Sequence, residues 1–264
     1  SKMNWGNTII SARWNYIFNN RLFSNTTVSY NNYLFDINAY TSNQYALGND
    51  ETFTNRYSSD YRSGINDWHY QIDFDYNPSP VHHVKFGAGY IYHRFRPEVM
   101  TSKISDRTDD QTYRDTTYHN MNNSRIYAHE VSAYAEDNLK ISSRLRLNLG
   151  LHFSLFHVQK QSYFSLQPRI SARYQLTDDI TLKASYTKMS QYVHLLSSMP
   201  IAMPTDLWVP VTKEIKPMQS HQYSLGGYYT GIKGWEFSVE GYYKDMRNVL
   251  EYKDGVSFFG SSTG

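Results

Sequence analysis

LRLNLGLHFSLF (145–156), SLQPRISARYQL (165–176) and, after Thr177-Asp178-Asp179, ITLKASYTK (180–188) decide how this chain is read. In the first segment Leu145, Leu147, Leu149, Leu151, Phe153 and Leu155 alternate with Arg146, Asn148, Gly150, His152 and Ser154. In the second, Leu166, Ile170, Ala172, Tyr174 and Leu176 alternate with Gln167, Arg169, Ser171, Arg173 and Gln175. The third sets Ile180, Leu182, Ala184 and Tyr186 against Thr181, Lys183, Ser185 and Thr187. Successive side chains of a strand point to opposite faces of its sheet, so each segment has one apolar and one polar face. The runs exceed the ~5–6 residues of a common soluble strand and match the ~9–11 tilted residues that cross a bilayer. The apolar face would meet lipid and the polar face a hydrated lumen. The fold expected is all-β: a transmembrane, antiparallel, up-and-down β-barrel.

Composition agrees. The 264 residues include 25 Tyr, 13 Phe and five Trp, an aromatic share of 16% that suits the girdles of a membrane barrel. Mean hydropathy is negative, as it is when half of each strand faces water and the loops are polar. No apolar run reaches the ~18 residues of a membrane helix. A net charge of +2 gives no polyanion signal, so nucleic acid is not an expected partner. There is no Cys, which fits export but is common elsewhere too.

About ten strands are readable, at 5–18, 22–35, 65–76, 84–95, 126–141, 145–155, 166–176, 180–187, 222–230 and 235–246. The connections at 19–21, 77–83, 142–144, 177–179 and 231–234 are short. Those at 36–64, 96–124 and 187–221 are long and are read as loops, with 157–164 intermediate. Outer-membrane barrels have short periplasmic turns and long outer loops. That rule puts both ends of this stretch on the exterior side, which is expected of an internal piece of a larger barrel.

Three segments carry a family resemblance. SLQPRISARYQLTDDITLKASYTKMSQ (165–191) holds Pro168, Arg169 and Tyr174, a short turn, then Leu182 and Tyr186. IKPMQSHQYSLGGYY (215–229) holds Lys216, Pro217, Ser220, Tyr223 and Gly226, and YAEDNLKISSRLRLNLGLHF (134–153) forms a strand pair. In these patterns the chain resembles the TonB-dependent outer-membrane receptors. The resemblance implies a barrel of 22 strands with an N-terminal plug, in the outer membrane, importing a scarce ligand with energy delivered by the TonB complex. Residues 1–264 would be a partial barrel domain of such a receptor, with the plug and the closing strands outside it. Siderophore, haem, vitamin, glycan and peptide all remain open as the ligand.

Enzymatic chemistry finds no support: G-x-S-x-G, Walker and H-E-x-x-H patterns are absent, and no cofactor is implied. The alternative weighed is a self-contained ten-stranded barrel enzyme of the outer-membrane protease kind, with Asp206, His194 and His119 at its rim. His82-His83 lack a third metal ligand nearby and read as solvated turn residues. Asp106, Asp109, Asp110 and Asp115 lack the Gly-centred spacing of a calcium loop, so no metal site is expected. Asp67, Asp73, Asp75, Glu236 and Glu240 are read as a hydrated lumen wall. The segment YVHLLSSMPIAMPTDLWVPVTKEIKP (192–217) is too apolar to stay in water and is expected to fold into the barrel mouth or against a partner. Trp208, with Asp206 and His194 beside it, is the ligand-contact candidate there, because an indole offers a large stacking face and one N–H donor.

Overall fold

The computed structural model describes residues 2–48, 51–108, 111–120, 125–196 and 207–250. Among these there are thirteen strands and no helix: β1 (Lys2–Ile17), β2 (Leu22–Gly48), β3 (Glu51–Tyr76), β4 (His82–Arg107), β5 (Thr112–Asn120), β6 (Ile126–Lys140), β7 (Leu145–Val158), β8 (Gln161–Gln175), β9 (Ile180–Gln191), β10 (Val193–Leu196), β11 (Leu207–Pro210), β12 (Met218–Tyr229) and β13 (Phe237–Arg247). The main sheet runs β1-β2-β3-β4-β6-β7-β8-β9-β12-β13, and all neighbours are antiparallel. These are the ten strands legible in the sequence, in the same order. The sheet is open among the described residues, with β1 and β13 at its edges.

Three of the short turns share one device. Asn19 Oδ1 accepts from the N–H groups of Arg21 (2.9 Å) and Leu22 (3.0 Å). Ser142 Oγ does the same for Arg144 and Leu145, and Thr177 Oγ1 for Asp179 and Ile180. Asn, Ser and Thr side chains substitute here for a backbone turn acceptor. All these turns lie at one end of the sheet.

The opposite end differs from the sequence expectation. Residues 36–64 are no loop: β2 and β3 stay paired from Leu22↔Tyr76 to Ala46↔Thr52. Residues 96–124 likewise extend β4 to Arg107, with β5 returning along it. β7 and β8 meet at a two-residue turn whose Gln159 and Lys160 both take positive φ, 48° and 65°, the backbone twist a tight hairpin requires. Alternation fails as a signal for these extensions because strands above the bilayer lose the lipid on one face, so neither face needs to be apolar.

The apolar face is solvent-accessible along the membrane-length part of the wall: Leu149, Leu151, Phe153, Ile170 and Tyr174 are all exposed. Two aromatic rows bracket it. Near the short turns Phe74 stacks on Phe86 (4.9 Å) and stands 6.3 Å from Phe18, and across the sheet Phe237 neighbours Tyr229 and Trp235. Toward the other end run Tyr30–Trp68 (5.1 Å), Trp68–Tyr92 (5.5 Å) and Tyr92–Tyr127 (6.1 Å), and on the far strands Tyr186–Tyr223–Tyr243. Trp68 to Phe74, Tyr92 to Phe86, Tyr223 to Tyr229 and Tyr243 to Phe237 are the same sequence interval, roughly 20 Å along a strand. Just beyond the second row the face turns polar. Arg94 Nη2 donates to Asn66 Oδ1 (2.8 Å) and its guanidinium lies 5.5 Å over the Trp68 ring, while Asn66 donates to Tyr30 Oη (3.0 Å).

Candidate functional site

The polar face of the same strands carries the chemistry. At the β3–β4 turn His83 Nε2 lies 2.9 Å from Asp75 on this face, and His82 Nδ1 lies 2.6 Å from Asp137 on the other face, where Asp137 is opposite Val84 and Leu149, so both histidines are paired with carboxylates rather than merely solvated. Further along, Asp73 Oδ1 accepts from Tyr134 Oη (2.6 Å) and Gln71 Nε2 (2.8 Å). Gly87 leaves the room for this: a Cβ there would stand 2.5 Å from the Ile72 carbonyl and 2.8 Å from Asp73 Oδ1. Gly89 clears space for Gln71 and Ser132 in the same way.

Next comes His93, 6% exposed, drawn from the centre of β4 and held between two strands. Its Nδ1 is 2.7 Å from Asp67 Oδ1 on β3 and its Nε2 3.2 Å from Glu130 Oε2 on β6. Above it the polar face becomes apolar. Phe95, Ala128, Phe156 and Val158 of the wall form one buried cluster with Tyr192 and Val211, which flank the β10–β11 hairpin. Tyr192 stacks flat on Phe156, centroids 5.0 Å apart, and its hydroxyl is 2.6 Å from Ser154 Oγ. Val211 N–H donates to the Tyr192 carbonyl (2.7 Å) and Tyr163 Oη to the Thr212 carbonyl (2.6 Å). The base of the 192–217 segment is therefore fastened onto the polar face of β6, β7 and β8.

His194 lies in β10, 3% exposed, and its Nε2–H donates to the Lys216 carbonyl (3.1 Å). Burial pushes its pKa below the ordinary value of 6.5, against a smaller opposing effect of that hydrogen bond. A histidine with a depressed folded-state pKa binds its proton more weakly folded than unfolded, so its contribution holds above about 6.5 and is lost as pH falls through that value. Amide protection factors in β10 and β11, corrected for intrinsic exchange, are expected to fall between pH 7.5 and 5.5. His194→Gln should flatten that difference; an unchanged pH response in the variant would rule His194 out as its source.

The other sequence candidates are placed as follows. Trp208 is on β11 with its backbone opposite Leu195, and its side chain is outside the described set. Asp206, Asp109 and Asp110 lie outside the described residues. His119 is on β5 with its backbone opposite Thr101 in the main sheet, whereas His194 is in the two-stranded β10–β11 sheet. Asp106 accepts from Asn55 and Asp115 pairs with Lys103 at 3.5 Å. Among the described residues no three candidate ligands converge on a metal position. Sequence reading passed over His93, Phe156 and Tyr192. A signal for them existed: Phe95, Phe156 and Val158 are apolar residues on the polar parity of their strands.

A wall of antiparallel strands with an exposed apolar band between aromatic rows, and a hydrogen-bonded polar face behind it, is that of a transmembrane β-barrel. The family model described as TonB dependent receptor-like, beta-barrel matches residues 2–263, and the chain belongs to that family. Solved structures agree on the fold. The ferric-catecholate import receptor Fiu from E. coli K12, in its closed form, matches with a TM-score of 0.58 and 12% identity, over 96% of this chain and 42% of that one. Its open form gives 0.55 at 11% identity, over 93% and 41%. BauA, the ferric preacinetobactin receptor from Acinetobacter baumannii, gives 0.53 at 11% identity, over 91% and 37%. The chain thus spans about two fifths of the length of these receptors. Among curated proteins no match is found. Barrels of this family are outer-membrane proteins, and the family consists of receptors and transporters rather than enzymes.

Proposed function

We propose that this chain is part of the barrel wall of an outer-membrane receptor that binds a scarce ligand and imports it with energy from the TonB complex. The family match supports this, and so does the 20 Å apolar band that aromatic rows bracket on strands of membrane length. Residues 1–264 are read as a partial barrel domain, about ten strands of a barrel of 22 that would enclose a plug. The carrying observation is the β10–β11 hairpin, fastened by Tyr192 and Val211 onto the polar face at the end with the long connections. A segment tied into the barrel mouth at its base, and rich in apolar residues beyond it, is suited to meet a ligand on its way in. No enzymatic step is assigned to it.

The test is uptake. A ferric chelate, the kind of ligand named for Fiu and BauA, is the first class to try, ahead of haem, vitamins, glycans and peptides. Trp208→Ala in the whole receptor is expected to reduce uptake several-fold while surface receptor stays normal, because an indole anchor is worth more than ~1 kcal/mol where it is desolvated. Normal uptake at normal surface level would remove Trp208 from the ligand path. Loss of the surface receptor would make it a packing residue instead. Asp206→Ala and His194→Gln are expected to have smaller effects of the same sign.

A further inference from the structure

The β3–β4 turn, at the short-turn end of the wall, contains Asn77-Pro78-Ser79-Pro80, and neighbours brace it from both sides. On the β2 side Asn77 N–H donates to the Arg21 carbonyl (2.7 Å), and Arg21 Nη1 donates to the Pro78 carbonyl (3.3 Å). On the β6 side Lys140 N–H donates to the Val81 carbonyl (2.9 Å). The two prolines fix their own φ, and Ser79 Oγ accepts from Val81 N–H (3.3 Å), so the turn keeps little freedom. Against it lies a hollow of about 590 Å³, whose lining includes Arg21, Ser79, His82, His83, Asn138 and Lys140.

The lining is rich in donors and holds no carboxylate. The acids nearest the two histidines are already engaged: Asp137 lies 2.6 Å from His82 and Asp75 2.9 Å from His83. The Lys140 ammonium has neither an ion pair nor a hydrogen bond among the described residues, and Arg21 spends one donor of its fork on Pro78. Three strand spacings of ~4.8 Å separate them, about 14 Å, which two long side chains can close on one tetrahedral anion. The hollow also straddles the rim of the wall. His83 is in register with Asn138 on the polar face, and His82 with Leu139 on the apolar one. On that apolar side Phe18, Tyr76 and Ile141 are exposed, and the Phe74–Phe86 stack of the aromatic row stands a few residues further along the strands. Lipid head groups lie at the level of such a row.

We propose that this hollow binds the head group of an anionic phospholipid, with its phosphate between Arg21 and Lys140 and its acyl chains along Phe18, Tyr76 and Ile141. Short turns face the periplasm in outer-membrane barrels, so the lipid belongs to the inner leaflet. An Arg fork and a Lys point charge both suit a phosphate, and Ser79 and Asn138 can meet the hydroxyls of a glycerol head group. A zwitterionic head group fits less well, because its cation finds two cations and no free carboxylate in the lining. Free phosphate would satisfy the donors but gain nothing from the apolar residues beside them. The inference rests on the membrane placement of the wall and does not require the import reading.

The experiment uses the whole receptor in dodecyl maltoside micelles, with bound lipid counted by native mass spectrometry. Dioleoyl-phosphatidylglycerol is the probe, dioleoyl-phosphatidylcholine its neutral counterpart and glycerol 1-phosphate the competitor without acyl chains. Phosphatidylglycerol is expected to be retained roughly fivefold more than phosphatidylcholine at equal mole fraction, since only its charge is matched by the lining. R21Q/K140Q should abolish that preference and leave phosphatidylcholine unchanged. Lys140→Gln keeps the backbone N–H that braces the turn, so it tests the charge without disturbing the fold, and it should lower the preference about twofold or more. Lys233→Gln, in the β12–β13 turn of the same rim, should change nothing. The proposal is overturned if the two lipids are retained equally, or if both Lys140 variants keep phosphatidylglycerol like the parent receptor. It is overturned too if Lys233→Gln loses as much, which would make the preference a general property of the rim. Displacement of the lipid by equimolar glycerol 1-phosphate would also overturn it, because the hollow would then be a site for free phosphate.

Discussion

Phe156→Ala is expected to destabilise the wall by about 3–5 kcal/mol and to free the β10–β11 hairpin from it. Phe156 is fully buried, stacks on Tyr192 with centroids 5.0 Å apart, and stands 5.9 Å from His93. Removing the ring opens a cavity that β7 cannot collapse to close, because its backbone is fixed between β6 and β8. Tyr192 then loses its stacking partner, and the Ser154 contact and the Tyr163–Thr212 hydrogen bond are the polar ties that remain. The effect should appear as a lower denaturant midpoint and as faster amide exchange in β10 and β11 than in β12. Phe153→Ala, on the exposed apolar face of the same strand, is the comparison and should leave the hairpin protected. Equal hairpin exchange in the two variants would mean that the cluster does not hold the segment.

Leu149→Arg is the second large effect. Leu149 is 43% exposed on the apolar face, opposite Ile170 on one side and Asp137 on the other, within the band that the aromatic rows bracket. If that face meets lipid, an Arg there costs ~2–4 kcal/mol in a bilayer. Gln222→Arg, exposed on the polar face between Thr187 and Lys244, should cost little by comparison. Refolding into vesicles measures both. The assignment of faces would fail if the two substitutions were equally tolerated, or if Gln222→Arg were the worse.

The wall was legible because lipid imposes a period. Wherever one face must be apolar, as at Leu145 to Leu155 or Trp68 to Tyr76, alternation marks the strand, its boundaries and its faces without any tertiary information. Asn19, Ser142 and Thr177 likewise announce their turns through local hydrogen bonds. The paired extensions at 36–64 and 96–107 gave no such mark, since water on both sides demands no pattern and their pairing is a matter of backbone hydrogen bonds. The signature segments 134–153, 165–191 and 215–229 were sufficient for the family.

The sequence by itself determined an all-β membrane wall, the order of its ten strands and which side chains share a face, because these follow from local periodicity and short turns. Only the tertiary structure decided that His93 lies between Asp67 and Glu130, that Tyr192 seats on Phe156, and that Lys140, Arg146, Arg173 and Lys183 form one row. Those meetings depend on the register between strands. Register is fixed by the backbone pairing of the whole sheet, and a slip of two residues would keep every face and lose every one of these contacts.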